Sequence, residues 1–166
     1  RYLDDVLHGN VTTLSSNRRN IGDAVIISDI VIGAVLIPGA RAPRLVTREM
    51  VAGMTHGSVI VDVAVDQGGC IETIIPTTHS KPVYELDGIL HYGVTNMPGA
   101  VPRTSTYALT SATLPYTIRL ASQGFEDTVR SDRTLASGVN VYRGHITYPA
   151  VAETYGLEYT PLPNLL

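Results

Sequence analysis

One cysteine, one lysine and no unbroken apolar run of membrane-spanning length: the sequence is short of several things at once. The lone Cys70 excludes an internal disulfide and suits a reducing cytosol. A net charge of −3 with a single lysine excludes the basic footprint of a nucleic-acid binder. The longest apolar stretch, over residues 24–38, is interrupted by Ser28 and Asp29 and is too short and too polar for a membrane span. Histidines 8, 56, 79, 91 and 145 show no metal-ligand spacing, so no metal site is expected; only His79, in a polar loop, is worth testing, and a surface histidine is its plain reading. No Walker A motif, no Gly-x-Ser-x-Gly elbow and no Gly-x-Gly-x-x-Gly occurs. The chain starts at Arg1 without a basic-then-apolar leader, as expected of a stretch taken from a longer polypeptide.

What is present is enough for a core: 166 residues, 44% of them hydrophobic and 16% charged. Residues 11–15 (VTTLS) predict a short strand, and residues 17–27 a helix. Residues 30–37 (IVIGAVLI) predict a second strand. A short helix capped by Thr47 is expected over 47–54, then a strand over 58–65 covered on both faces, and another over 89–95. Strand and helix alternating in this way predict an α/β fold with a parallel sheet. Ligands of such sheets bind beyond the carboxyl ends of the strands. Three strands here end in polar or glycine-bearing turns, at Pro38-Gly39, at Asp66-Gln67-Gly68-Gly69 and at Asn96-Met97-Pro98-Gly99.

Asp66 is the first candidate. A carboxylate at a strand end can orient a ribose or nicotinamide, stabilise positive charge or assist proton movement, and the paired glycines let a backbone approach closely. A turn cap is the alternative. Asn96 can hold a polar edge and Met97 can pack beside a flat ring, or the two simply end a strand. Arg41 and Arg44 could meet a phosphate or a neighbouring subunit, or be solvated.

After residue 100, a long helix is expected over 104–123, kinked or divided by Pro115. Tyr107, Leu114 and Ile118 form its apolar stripe and should be buried. A helix over 125–136, a hairpin at Arg143-Gly144, a helix near 150–155 and an extended tail complete the expectation.

The runs GAVLIPGARAPRLVT, GSVIVDVAVDQGGCIET, PTTHSKPVY, HYGVTNMPGAVPRTSTYALTSATLPY and ITYPAVAE, in this order across nearly the whole chain, resemble bacterial L-alanine dehydrogenase. The segment from Asn96 to Tyr116 discriminates most; the related transhydrogenase alpha subunit shares the "PGxxAP" and "GSVIVD" style without it. The resemblance implies NAD-dependent, reversible oxidation of L-alanine to pyruvate and ammonia by a cytoplasmic homo-oligomer, usually a hexamer. It implies a carboxyl-terminal half: residues 1–100 as the later part of a Rossmann-type NAD domain, 101–166 as helices returning to the substrate domain. It assigns Asp66 as the catalytic carboxylate and places Val35, Leu36, Val63, Asn96 and Met97 at the cofactor, with Ser16 towards the adenosine. The family's glycine-rich loop, ribose-binding acid, substrate-binding arginine and lysine, and catalytic histidine fall upstream of Arg1. These residues alone are therefore expected not to turn over alanine, and to expose a sizeable apolar patch around Tyr107, Leu114 and Ile118, whose cover the family's amino-terminal half supplies in part. A transhydrogenase-like NAD-binding subunit and a non-catalytic truncated module stay open as alternatives.

Overall fold

Asn17 starts the first substantial helix as a polar cap should. Its side chain accepts the Asn20 amide at 2.9 Å, leading into α2 (Arg18–Ile26). In the computed structural model, which describes residues 2–6 and 9–166, a short α1 (Tyr2–Val6) lies before it. The expected strand over 11–15 is not formed. Those residues are exposed and join no sheet ladder among the described residues; the Val11 amide donates locally to the Gly9 carbonyl at 2.9 Å.

The sheet comprises β1 (Ile30–Gly33), β2 (Val59–Asp62), β3 (Val83–Leu86) and β4 (Ile89–Tyr92), in the order β1-β2-β4-β3. β1, β2 and β4 run parallel, and β3 joins antiparallel as an edge. The crossover from β1 to β2 contains α3 (Arg48–Ala52), and the Thr47 hydroxyl accepts the Met50 amide as predicted. The fold is thus mixed α/β on a mostly parallel sheet.

β1, β2 and β4 are each shorter than the apolar run that predicts them. β1 stops at Gly33 because the next turn must pass close to Cys70; a Cβ on Gly33 would lie 2.5 Å from the Cys70 sulfur. β2 stops at Asp62, whose carboxylate accepts the Ala64 amide and converts Val63–Gln67 into a 3-10 turn. β3 was not anticipated, although Asp87-Gly88 is a two-residue hairpin signal: both residues have positive φ, 53° and 76°.

Register explains what the sheet buries. Gly33, Ile60, Asp62, Ile89 and His91 share one face and are buried. Ile30, Ile32, Val59, Val61, Leu90, Tyr92 and Val83 share the other, where Ile30 and Ile32 are largely exposed. The two-sided cover expected for β2 is therefore one-sided here. Residues 70 and 71 lie against Gly33 and Asp62 on the buried face, and no helix closes the opposite face among the described residues.

By internal packing the chain forms two units, one of residues 1–35 with 42–95 and one of 36–41 with 96–166. The second is mainly helical. α4 (Pro102–Gln123) runs through Pro115 without dividing. The single helix expected over 125–136 is two, α5 (Phe125–Ser131) and α6 (Arg133–Ser137), because Asp132 caps the second by accepting the Thr134 and Leu135 amides. The hairpin at Arg143-Gly144 forms as β5 (Val141–Tyr142) and β6 (His145–Ile146), followed by α7 (Pro149–Tyr155). The tail is not fully extended; Leu162–Asn164 close a 3-10 turn.

Tyr107, Leu114 and Ile118 are 66%, 48% and 58% exposed, the apolar patch expected of these residues by themselves. Helical periodicity identifies an apolar stripe without identifying its cover, and α4 buries none of its residues. Among the described residues, no helix is long and apolar enough to cross a membrane.

Candidate functional site

The parallel strands end together. Gly33 pairs in register with Asp62, so the chain leaving β1 and the chain leaving β2 emerge at the same sheet edge. Beyond that edge β2 becomes the 3-10 turn Val63–Gln67. Residues three apart eclipse one another in such a turn, which puts the side chains of Val63 and Asp66 on one face. Both are exposed, Val63 by 49%. An apolar surface and a carboxylate therefore stand side by side at the carboxyl end of the strands. Val35 follows β1, half-buried, and its backbone amide lies beside the Cys70 sulfur.

The loop that carries Asp66 is tied at many points. The Gly68 amide donates to Val65 at 3.0 Å and the Gly69 amide to Ala64 at 2.9 Å, while the Ala42 amide donates to the Gln67 carbonyl at 2.9 Å. Gly68, at φ 96°, has open space where a side chain would be. Gly69, at φ 78°, has none: its Cβ would lie 2.4 Å from Ile74 and 2.9 Å from Asp62. One glycine serves exposure of the backbone and the other close packing.

Asp62 is not among the candidates the sequence singles out. It is fully buried and accepts backbone amides from Ala64, Cys70 and Ile71. The signal was its place, a single acid among valines and isoleucines four residues before Asp66. Cys70, 3.6 Å from that carboxylate, is pushed up to about 11 by burial first and by the Asp62 charge second, so it is an unreactive thiol.

Ser16 does not join Asp66. It lines a separate cleft of about 200 Å³ at the start of α2, with Asn17, Arg18, Arg44 and Thr47. Arg44 in this cleft also donates to the Ile71 carbonyl at 2.5 Å, so it is a structural tie and not merely solvated. His79 is exposed in the turn before Lys81. Among the described residues, no three His, Cys, Asp or Glu side chains gather as a metal site.

Leu36, Asn96 and Met97 belong to the second unit. Leu36 is exposed. Asn96 takes a left-handed conformation (φ 53°, ψ 53°) that starts the 3-10 turn Met97–Ala100, with Met97 half-buried. Asn96 also lines a groove of about 620 Å³ with Pro98, Pro102, Ser105 and Leu109. The Ser105 hydroxyl fastens this turn to α4 by donating to the Pro98 carbonyl at 2.8 Å.

A second buried polar group lies deeper in the sheet unit. His91 Nδ1 is 2.9 Å from the Ile89 carbonyl, which makes it the protonated nitrogen, and Nε2 is 2.8 Å from the Thr73 hydroxyl. Tyr84 stacks on the ring, and its hydroxyl donates to the Thr73 carbonyl. Burial lowers the His91 pKa.

The profile described as "Alanine dehydrogenase/PNT, C-terminal domain" matches residues 1–149. The alanine dehydrogenase of Staphylococcus haemolyticus is 55% identical over 99% of this chain and 44% of its own length. That of Bacillus subtilis is 53% identical over all of this chain and 44% of its own. A solved L-alanine dehydrogenase superposes with a TM-score of 0.77 at 51% identity, covering 93% of this chain and 43% of that one. A solved transhydrogenase from Sinorhizobium meliloti gives 0.56 at 31%, covering 81% and 36%. The chain spans less than half the length of these relatives, and it belongs to the alanine dehydrogenase/PNT family, whose C-terminal domain it carries.

Proposed function

We propose that this chain is the carboxyl-terminal part of an NAD-dependent alanine dehydrogenase, interconverting L-alanine with pyruvate and ammonia. The observation that carries the reading is the shared face of Val63 and Asp66, an apolar wall beside a carboxylate at the carboxyl end of a parallel sheet. An aromatic carboxamide ring fits such a surface, with Val35 and Val63 beneath it and Asp66 at its reacting edge. The pyrophosphate does not find its usual glycine-rich turn in these residues, since no Gly-x-Gly-x-x-Gly occurs among them. NAD, when bound, accepts the hydride that leaves the alanine Cα.

Asp66 would hold the substrate amine and, once that amine has given a proton to a base so that its lone pair is free, stabilise the positive charge of the iminium that forms as hydride leaves Cα. Asn96 and Leu36 contact the cofactor's polar edge and ring, Met97 packs beside the ring, and Ser16 faces the adenosine. The first unit is the later part of the NAD domain and the second returns to the substrate domain. The complete protein is a cytoplasmic homo-oligomer, a hexamer, and these residues by themselves form no NADH. The higher TM-score with the alanine dehydrogenase than with the transhydrogenase favours alanine oxidation over a transhydrogenase-like NAD-binding role.

Asp66→Asn in the full-length protein tests the reading. It removes the charge at nearly constant size, so kcat should fall by more than tenfold while KM for NAD changes little. Turnover within about threefold of the parent, a barrier change below roughly 1 kcal/mol, removes Asp66 from this role.

A further inference from the structure

A strand inside a sheet has no need of Asp62. Its neighbours in β2 are valine and isoleucine, and another aliphatic side chain would satisfy the buried face. A fully buried carboxylate is tolerated only where donors surround it. Here Oδ1 accepts the Ala64 amide at 2.9 Å, and Oδ2 accepts the amides of Cys70 at 2.8 Å and Ile71 at 3.1 Å. Ala64 opens the loop that bears Asp66; Cys70 and Ile71 close it. One side chain therefore clamps both ends of that loop to the last residue of β2. Two glycines make room for it: a Cβ on Gly33 would lie 3.2 Å from Oδ1, and one on Gly69 would lie 2.9 Å from Oδ2.

We propose that Asp62 is a positioning residue, whose carboxylate sets the place of Asp66 in the crevice by bonding the amides on either side of the loop. A carboxylate suits the task because charge-assisted bonds are shorter and stronger than those to a neutral acceptor, and two oxygens can serve three donors in fixed directions. The proposal rests on the reading of Asp66 given above. It adds that the strength of that group depends on a buried acid four residues earlier, which touches neither substrate nor cofactor.

The test is a double-mutant cycle in the full-length enzyme, with kcat expressed per NADH-binding site so that unfolded protein does not count. Asp62→Asn exchanges an acceptor oxygen for a donor and leaves at least one amide unpaired. It should lower kcat roughly ten- to a hundredfold, the range for a catalytic group displaced from outside the site, with KM for alanine and NAD within about threefold. In an Asp66→Asn background the same change should cost almost nothing more, because the group it positions is gone. Equal losses in both backgrounds, or a folded Asp62→Asn enzyme with kcat within about threefold of the parent, would overturn the proposal. An active Asp66→Asn enzyme would instead overturn the reading beneath it.

If Asp62→Asn does not fold, Gly69→Ala displaces the same carboxylate while keeping its charge, and the same loss and the same cycle apply. If neither folds, amide exchange in the parent decides. Ala64, Cys70 and Ile71 amides protected like those of β2 support the clamp, and exchange as fast as exposed loop amides overturns it.

Discussion

In the sheet unit Ile60, Ile71, Ile89 and Val94 are completely covered, and an acid and a histidine, Asp62 and His91, are as completely buried with them. In the helical unit the longest helix of the chain buries none of its twenty-two residues. Both regions are rich in apolar residues, so composition does not separate them. The difference is in who supplies the cover. Strands brought into register present their side chains to a common face at once, and loops returning from the sheet edge close it. α4 offers a stripe, and nothing in its own unit lies across Tyr107, Leu114 and Ile118. Buried titratable groups follow the same division: the sheet unit holds an acid and a histidine, each fully bonded, whereas the buried polar side chains of the helical unit are the threonines Thr128 and Thr147.

The largest effect expected from this comparison is in the core. Ile60→Ala should cost about 2–5 kcal/mol, the range for an aliphatic side chain removed from a closed site. Leu114→Ala or Ile118→Ala should change stability by less than about 0.5 kcal/mol wherever α4 stays uncovered. Urea midpoints of the three variants check the contrast. A loss above about 1 kcal/mol for Leu114→Ala in the full-length protein would break it there, and would mean that another part of that protein covers α4.

This contrast also marks what could be read in the sequence. Helix caps are local chemistry, so Asn17 and Thr47 started their helices where expected. The long helix expected from residue 104 begins earlier, at Pro102, and Ser105 bonds Pro98. Strand lengths were overestimated because an apolar run states only that residues avoid water. Where the ladder stops depends on contacts distant in sequence, Cys70 against Gly33 and Cys70 with Ile71 against Asp62. Asp66 could be singled out from its place at a strand end. Asp62 could not be interpreted before its three amide partners were seen, since two of them lie eight and nine residues further along the chain. The cover of Tyr107, Leu114 and Ile118 was illegible for a different reason: a stripe on a helix carries no record of its partner, and in these residues by themselves it stays exposed.

A smaller effect separates the units by pH. His91 is held neutral by burial, and its pKa lies below the ordinary 6.5. The charges around it are Asp87, which favours the imidazolium, and Arg48, which opposes it; Tyr84 and Thr73 face the ring without charge at these pH values. An unfolded chain takes up the His91 proton before the folded one does. Stability contributed by the neutral ring is therefore complete above about pH 6.5 and declines as pH falls from there through the lower folded value. Amide exchange of β2 and β4 should accelerate between pH 7 and 5 after correction for intrinsic rates. His91→Gln should be less stable at pH 7 and yet lose no further stability across that interval. A parallel decline in parent and variant would assign the pH dependence to other groups.

The smallest effect lies in the helical unit, whose shifted acids, Glu126 and Asp132, are partly open to solvent. Glu126 is lowered chiefly by the Tyr142 hydroxyl, which donates to it at 2.6 Å, and further by Arg143 at 2.8 Å. Asp132 is lowered chiefly by the Leu135 amide it caps, with Thr134 and Arg119 adding to this. For both groups the folded carboxyl holds its proton less tightly than the unfolded one. Their contribution is present above the ordinary carboxyl values of 4.5 and 3.8, and is lost as pH falls through the folded values. The helical unit should therefore keep its stability across the interval in which the sheet unit weakens, and yield only in stronger acid. Glu126→Gln and Asp132→Asn should each lower stability slightly at pH 7, with the gap from the parent closing towards pH 3, because protonation of the parent removes the same charge. Solvent and salt screen these groups, so the gap at pH 7 should also narrow in high salt, which the buried His91 should resist. Peptide-resolved exchange over α5, α6 and the β5–β6 hairpin measures it. A gap that stays constant from pH 7 to pH 3 would show that shape, not charge, is what these two side chains contribute.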